Sequence, residues 1–223
     1  MAKAPVSFDA IARPYRWMEY LTLGPLLQCA RVHFLPELDG CRRALVLGDG
    51  DGRFLAALLR RNSLVAADAV DTSAAMLGLL ARRTDPARVA THRMSALDFE
   101  PGTPVDLVAT HFFLDCLTQE EVDGLCLRLA DRLVPGGLWV VSDFRIPTGP
   151  MHWPARIYVG LLYRVFGLLT GLRVRRLPDF ASALAAAGLV RIGVRDRLFG
   201  LLTSELWRLE PRRGAESGKS ALQ

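Results

Sequence analysis

A short apolar run, Arg43–Leu47, leads through Gly48-Asp49-Gly50-Asp51-Gly52 into a helical pattern that begins at Arg53, and few folds accommodate that order. Three glycines at alternate positions permit a turn tight enough for a ligand to approach the backbone where the helix starts. Downstream, β-branched runs alternate with longer helical periods, the signature of βαβ units in a parallel sheet. Strands are predicted at Arg43–Leu47, Leu64–Val70, Arg88–Arg93, Val105–Thr110 and Leu138–Ser142. Between them the pattern predicts helices over Arg53–Arg61, stopped at Asn62, over Ala74–Arg83 behind Thr72-Ser73, and over Gln119–Leu133. Thr118 and Glu121 form a capping box for the last of these, and Pro135-Gly136-Gly137 is expected to end it.

After Asp143 the alternation breaks. An apolar, aromatic segment, Met151 to Leu172, precedes a helix at Asp179–Ala187, and two runs, Val190–Arg195 and Leu202–Leu209, read as a terminal β pair turning through Phe199-Gly200. A helical region, Phe8 to Leu38, comes before the first strand and is interrupted near Gly24-Pro25. The polar tail, 211–223, is expected to be disordered. Residues 1–210 thus read as a single domain, with a helical cap over 8–38 and lid helices over 151–172.

The formal charge of +5 comes from arginines scattered in pairs rather than from a block, which argues against a nucleic-acid-binding surface. Cys29, Cys41, Cys116 and Cys126 form no CxxC pair and have no histidine at ligand spacing, so no metal site and no disulfide framework are expected. Reduced thiols suit the cytoplasm. No secretory leader is expected, and the apolar run from Ile157 to Leu172, with Arg164 inside it, is too short to span a bilayer.

The loop does not fit a dinucleotide. That fingerprint needs glycine at its sixth place, where this chain has Arg53, or Leu55 if counting starts at Gly50. Asp49 and Asp51 would also face a pyrophosphate at a helix N-terminus, an unfavourable pairing of like charges. A ligand with a positive centre and no phosphate escapes that repulsion.

The segments Ala44-Leu45-Val46-Leu47-Gly48-Asp49-Gly50-Asp51-Gly52, Val70-Asp71-Thr72-Ser73-Ala74-Ala75-Met76-Leu77, Met94-Ser95-Ala96-Leu97-Asp98-Phe99 and Leu133-Val134-Pro135-Gly136-Gly137 together resemble the class I S-adenosylmethionine-dependent methyltransferases. The resemblance implies a Rossmann-like, doubly wound α/β fold: a mostly parallel seven-stranded sheet, its last strand antiparallel, with helices on both faces. It implies S-adenosylmethionine as the cofactor, held by Gly48, Asp49, Gly50, Gly52, Asp71, Thr72, Ser95, Ala96 and His111. Asp71 matches the acid that takes both ribose hydroxyls, with Asp68 as its rival by spacing. The chain departs from the family where many relatives carry an acid, at Val46 and at Ser95; Asp49 and Ser95 then supply those contacts.

In an open parallel sheet the ligand crevice lies beyond the carboxyl ends of the strands, where the fourth strand delivers Thr110-His111-Phe112-Phe113-Leu114-Asp115-Cys116. That run carries neither an Asn/Asp-Pro-Pro-Tyr motif nor a Pro-Cys nucleophile, which disfavours acceptors on amide or adenine nitrogens and on cytosine carbon. Where an acceptor must lose a proton, His111 and Asp115 are the candidate bases, followed by His152. Tyr15, Trp153, Tyr158 and Tyr163 are placed by the resemblance on segments that cover the acceptor, with the 151–172 lid able to rest on a membrane surface. The expected activity is methyl transfer to a small, largely apolar acceptor of quinone, polyketide or lipid type. An oxidoreductase on the same fold and a catalytically silent or RNA-associated binding protein are the competing readings.

Overall fold

The computed structural model describes residues 23, 25–170 and 176–211, with 165–170 given by backbone alone. Helix α1 (Pro25–Arg31) and a 3-10 turn (Leu35–Leu38) lead into β1 (Arg43–Leu47), followed by α2 (Arg53–Arg61), β2 (Ala66–Asp71), α3 (Ala74–Ala81), β3 (Val89–Arg93) and β4 (Val105–His111). The rest of the chain forms α4 (Gln119–Ala130), β5 (Leu133–Phe144), α5 (His152–Thr170), α6 (Phe180–Ala186), β6 (Leu189–Arg197) and β7 (Leu202–Leu209). The strands make one seven-stranded sheet in the order β3-β2-β1-β4-β5-β7-β6. β1 to β5 run parallel, and β7 is antiparallel to both β5 and β6. The order reverses between β1 and β4, which opens a crevice at their carboxyl ends.

Both faces of the sheet are covered, so its central strands are apolar throughout: four of the five residues of β1 are buried. Phe54, Leu55 and Leu58 of α2 and Leu80 of α3 pack on one face. On the other, Val122, Leu125 and Leu129 of α4 and Phe180 and Leu184 of α6 close over Trp139. Arg191, Arg195 and Arg197 charge the free edge of β6, which discourages further strand pairing. Several joints are built from single polar side chains. The Asp106 carboxylate accepts the amides of Arg42 and Arg43 at the entrance to β1. Ser142 and Ser204 both donate to the carbonyl of Ala30, anchoring the end of α1 to the sheet.

Two sequence expectations need correction. The third predicted helix stops at Ala130 rather than Leu133, because Leu133 already pairs with Val105 of β4. Pro135-Gly136-Gly137 lies inside β5, opposite a register shift between Val105 and Leu107, where the missing proline N–H costs no ladder bond. Of the 151–172 segment, residues 152–170 form one helix of 19 residues behind a 3-10 turn (Gly149–Met151) rather than several lid helices, and 171–172 lie outside the described residues. Its inner side packs: Ala155, Val159 and Tyr163 are buried. Among the described residues, no helix is long and apolar enough to cross a membrane. Tyr15, most of the predicted N-terminal cap and the tail from 212 lie outside the described residues.

Asn62 stops α2 and does more. Its buried side-chain amide donates to the carbonyls of Leu38, Asp39 and Cys41 while its oxygen accepts from Leu64 N–H. Asn62→Ala removes these bonds and strands buried carbonyls, so urea unfolding should show a loss of about 2–4 kcal/mol.

Candidate active site

The glycine loop turns on left-handed residues, with φ of 64° at Gly48 and 79° at Gly52. Side chains there are excluded by contact as well as by conformation: a Cβ on Gly48 would stand 2.4 Å from the Phe113 ring, and one on Gly52 2.7 Å from Leu80 Cγ. The turn brings the buried Asp49 carboxylate beneath the start of α2, where it accepts the amides of Leu55 at 2.9 Å and Phe54 at 3.3 Å. Burial raises its pKa to about 6, against the opposing pull of those two amides. Asp51 points elsewhere, into ion pairs of 2.9 Å with both Arg53 and Arg83.

This corrects the charge argument made from sequence. Neither aspartate waits to repel a phosphate, since Asp51 is neutralised by two guanidinium groups. Asp49 instead occupies the amides that a phosphate would need at a helix N-terminus. The conclusion against a pyrophosphate survives on different physics.

Asp71 ends β2 beside the loop, and one of its carboxylate oxygens accepts Ser73 N–H at 2.8 Å. Ser73 in turn caps α3 through Met76 N–H, and Thr72 sits half-buried between them. Asp68, the rival, lies in mid-strand and is bound to His92 at 2.7 Å. Ser95 and Ala96 form the turn after β3, with the Ser95 hydroxyl accepting Leu97 N–H. Arg128 of α4 holds that turn by donating to the carbonyls of Ala96 and Phe99, a support that its sequence position did not advertise.

The two candidate bases at the end of β4 stand in different surroundings. His111 is 2% exposed, its ring centroid 4.2 Å from that of Phe54, and neither ring nitrogen has a partner among the described residues. Burial and then the Arg31 charge hold it well below the ordinary imidazole pKa, so it is neutral. The next residue, Phe112, has a left-handed backbone with φ of 53° and its ring beneath the Arg31 guanidinium. Such strain in a residue with a side chain is typical of functional loops.

Asp115 lies across the turn and is buried beside Asp143, the penultimate residue of β5 and one that sequence reasoning used only as a boundary. Asp143 accepts the amide of Asp115 at 3.2 Å and that of Phe144 at 2.8 Å. Burial raises the Asp115 pKa to about 6, and burial together with Asp115 drives Asp143 well above the carboxylate range. The Cys116 thiol, bonded to Asp115, is pushed well up by burial and by the charges of Asp115, Asp143 and Asp71. Asp71, at the carboxyl end of β2, lies on the same edge of the sheet as this pair. Tyr163 of α5 donates to the Asp115 carbonyl at 3.0 Å, so it braces the turn as well as covering it. Tyr158 packs beside it, whereas Trp153 is 67% exposed at the outer end of α5. His152 is turned back to the Pro147 carbonyl at 3.3 Å. Between α5 and the sheet opens a cavity of about 1040 Å³, with Phe144 and Tyr163 on the wall nearest this pair. Among the described residues no cluster of His, Cys, Asp and Glu could hold a metal ion.

A family model described as a methyltransferase domain matches residues 44–137. No curated protein matches the chain by sequence. An O-methyltransferase family protein from Burkholderia thailandensis is similar in structure over 90% of this chain and 60% of its own, with a TM-score of 0.69 and 17% identity. MmcR, described as a mitomycin 7-O-methyltransferase, is similar over 91% of this chain and 60% of its own, with a TM-score of 0.67 and 19% identity. The N-methyltransferase NodS from Bradyrhizobium japonicum WM9, solved with S-adenosyl-L-homocysteine, is similar over 90% of this chain and 99% of its own, with a TM-score of 0.63 and 15% identity. The chain thus spans about 60% of the first two relatives' length and nearly all of the third. The fold is the Rossmann-like fold of these methyltransferases.

Asp115 makes the fold sensitive to pH in a defined direction. A carboxyl whose pKa is raised from 3.8 to about 6 on folding contributes stability that is full below pH 4 and is lost as pH rises through 6. Asp115→Asn should therefore unfold at higher urea than the parent at pH 7.5, by about 1–3 kcal/mol, and lose roughly half of that advantage at pH 5.

Proposed function

We propose that this chain, whose residues 44–137 match a methyltransferase domain, transfers the methyl group of S-adenosylmethionine to a small, largely apolar acceptor. The observation that carries the reading is the placement of Asp71 at the carboxyl end of β2 and of Asp115 in the turn just beyond β4, on the edge of the sheet where the strand order reverses. Acids at that edge favour a ligand with a positive centre. The capping of α2 by Asp49 leaves no cradle there for a pyrophosphate. S-adenosylmethionine supplies, when bound, an electrophilic methyl on a sulfonium, together with an ammonium and no phosphate.

The residues present fit that group. In this reading Gly48 and Gly50 offer backbone without side chains, Asp71 accepts the ribose hydroxyls, and Thr72 with the Ser95-Ala96 turn borders the adenine base. His111, neutral and buried with two unsatisfied nitrogens, offers a donor and an acceptor to the polar end of the ligand. Asp115 is the base in this reading: its raised pKa leaves it ionised at neutral pH yet more willing than an ordinary carboxylate to take a proton from a phenol or an activated carbon. Asp143, whose pKa burial and the nearby Asp115 charge push upward, accepts the Asp115 amide and so holds the turn that carries the base. Much of the remaining acceleration comes from holding the acceptor against the methyl in a dry site. The four free thiols support a cytoplasmic setting.

Calorimetry with S-adenosylmethionine, S-adenosylhomocysteine and NAD tests the reading: the first two should bind and the third should not. Asp71→Ala should weaken both by about 1.5–3 kcal/mol, roughly ten- to a hundredfold, with the fold intact. Asp68→Ala, at a residue already engaged by His92, should have the smaller effect. Tight NAD binding with no response to the other two ligands would overturn the assignment.

A further inference from the structure

The cavity between α5 and the sheet differs in charge from the crevice beside it. Five arginines line it (Arg145, Arg156, Arg164, Arg176 and Arg191) against two carboxylates, Asp179 and Glu205. Both carboxylates are already engaged. Glu205 is buried in the floor, 3.3 Å from Arg191 and 3.8 Å from Arg145, and accepts the Trp207 indole N–H. Asp179 caps α6 through the amide and hydroxyl of Ser182. Arg156 lies over the Trp153 ring, and among the described residues neither Arg164 nor Arg176 has an acid within ion-pair distance.

The shape is as informative as the charge. Arg156, Gly160 and Arg164 are spaced four residues apart, so they form one stripe along α5, the guanidinium stems about 12 Å apart. A Cβ at Gly160 would meet nothing within 4 Å, so the missing side chain leaves a notch between the two arginines. Ile157 and Trp153 border the stripe, and Leu177 and Phe144 face it across the cavity. An apolar body with a cationic rim is complementary to an anionic amphiphile. Its volume suits a drug-sized or larger molecule.

We propose that this cavity binds a small anionic amphiphile, its apolar body lying along Ile157, Gly160 and Leu177 and its carboxylate or phosphate held by Arg156, Arg164 and Arg176. Under the methyl-transfer reading, on which this one step rests, that molecule is the acceptor. Tyr163 belongs both to the cavity wall and, through its bond to the Asp115 carbonyl, to the candidate base. The "largely apolar" acceptor expected from sequence thereby gains an acidic group.

The test uses decanoate, decyl phosphate and decanol as probes, each below its micelle concentration, titrated into the full chain by calorimetry with and without S-adenosylhomocysteine. Both anions should bind at least tenfold more tightly than decanol. The double variant Arg164→Gln with Arg176→Gln should lose tenfold or more toward the anions and little toward decanol. Gly160→Leu, which fills the notch and leaves every charge in place, should lose binding of all three probes without lowering the melting temperature. S-adenosylhomocysteine binding should be unchanged in both variants, which separates the two proposals: homocysteine-product binding without anion binding overturns the cavity assignment alone, and the converse overturns the methyl-transfer reading alone. Equal affinity for decanol and decanoate, or undiminished anion binding in the double variant, would also overturn the cavity assignment. So would association with anionic phospholipid vesicles in the absence of any binding to the monomeric anions, which would make the arginine stripe a membrane-facing surface.

Discussion

The Asp49 carboxylate, buried beneath the glycine loop and bonded to the amides of Phe54 and Leu55, fixes where α2 begins, and the rest of the site takes its position from there. A helix start buried in a sheet crevice leaves amides that must find acceptors. By supplying the acceptor from within the chain, Asp49 frees the loop to present bare backbone rather than a phosphate cradle. Phe54 is then held against His111, and the Gly48 turn against Phe113, so β1, α2 and the end of β4 are locked together.

Periodicity made much of this architecture legible. The predicted limits of β1, α2 and β7 coincide with the observed ones, because each is bounded by a local stop: Gly48, Asn62, or the polar residues after Leu209. Local pattern failed where a distant partner decided. Leu133 continues the apolar period of α4, and only its pairing with Val105, 28 residues earlier, takes it into a strand. The role of Asp49 was equally hidden, since its contacts at five and six residues' distance exist only after the loop has turned through left-handed glycines. Asp115 was noticeable because it follows β4. Its neighbour Asp143 was not, because their proximity is a property of the β4–β5 pairing and of no motif.

Charge is sorted within the molecule more sharply than the formal total of +5 suggests. The acids gather at the crevice and the arginines around α5, with Tyr163 at the boundary. Arginines far apart in the sequence converge on folding because α5, the 176–181 segment and β6 enclose one space from three sides. A reading based on blocks of like charge misses a cluster that only tertiary structure assembles.

The position of β7 bears on how the chain can be made. It is the last strand in sequence, yet it lies between β5 and β6, almost wholly buried, and its Ser204 also bonds to the Ala30 carbonyl at the end of α1. During synthesis β1 to β5 are complete while the far side of β5 still presents unpaired amides and carbonyls. That edge is sealed only when residues 202–209 emerge and slot into it. Assembly of this sheet therefore closes with an insertion rather than an addition, and while residues 145–201 are being made the nascent chain carries an open β edge, the exposure that makes parallel α/β proteins prone to aggregate.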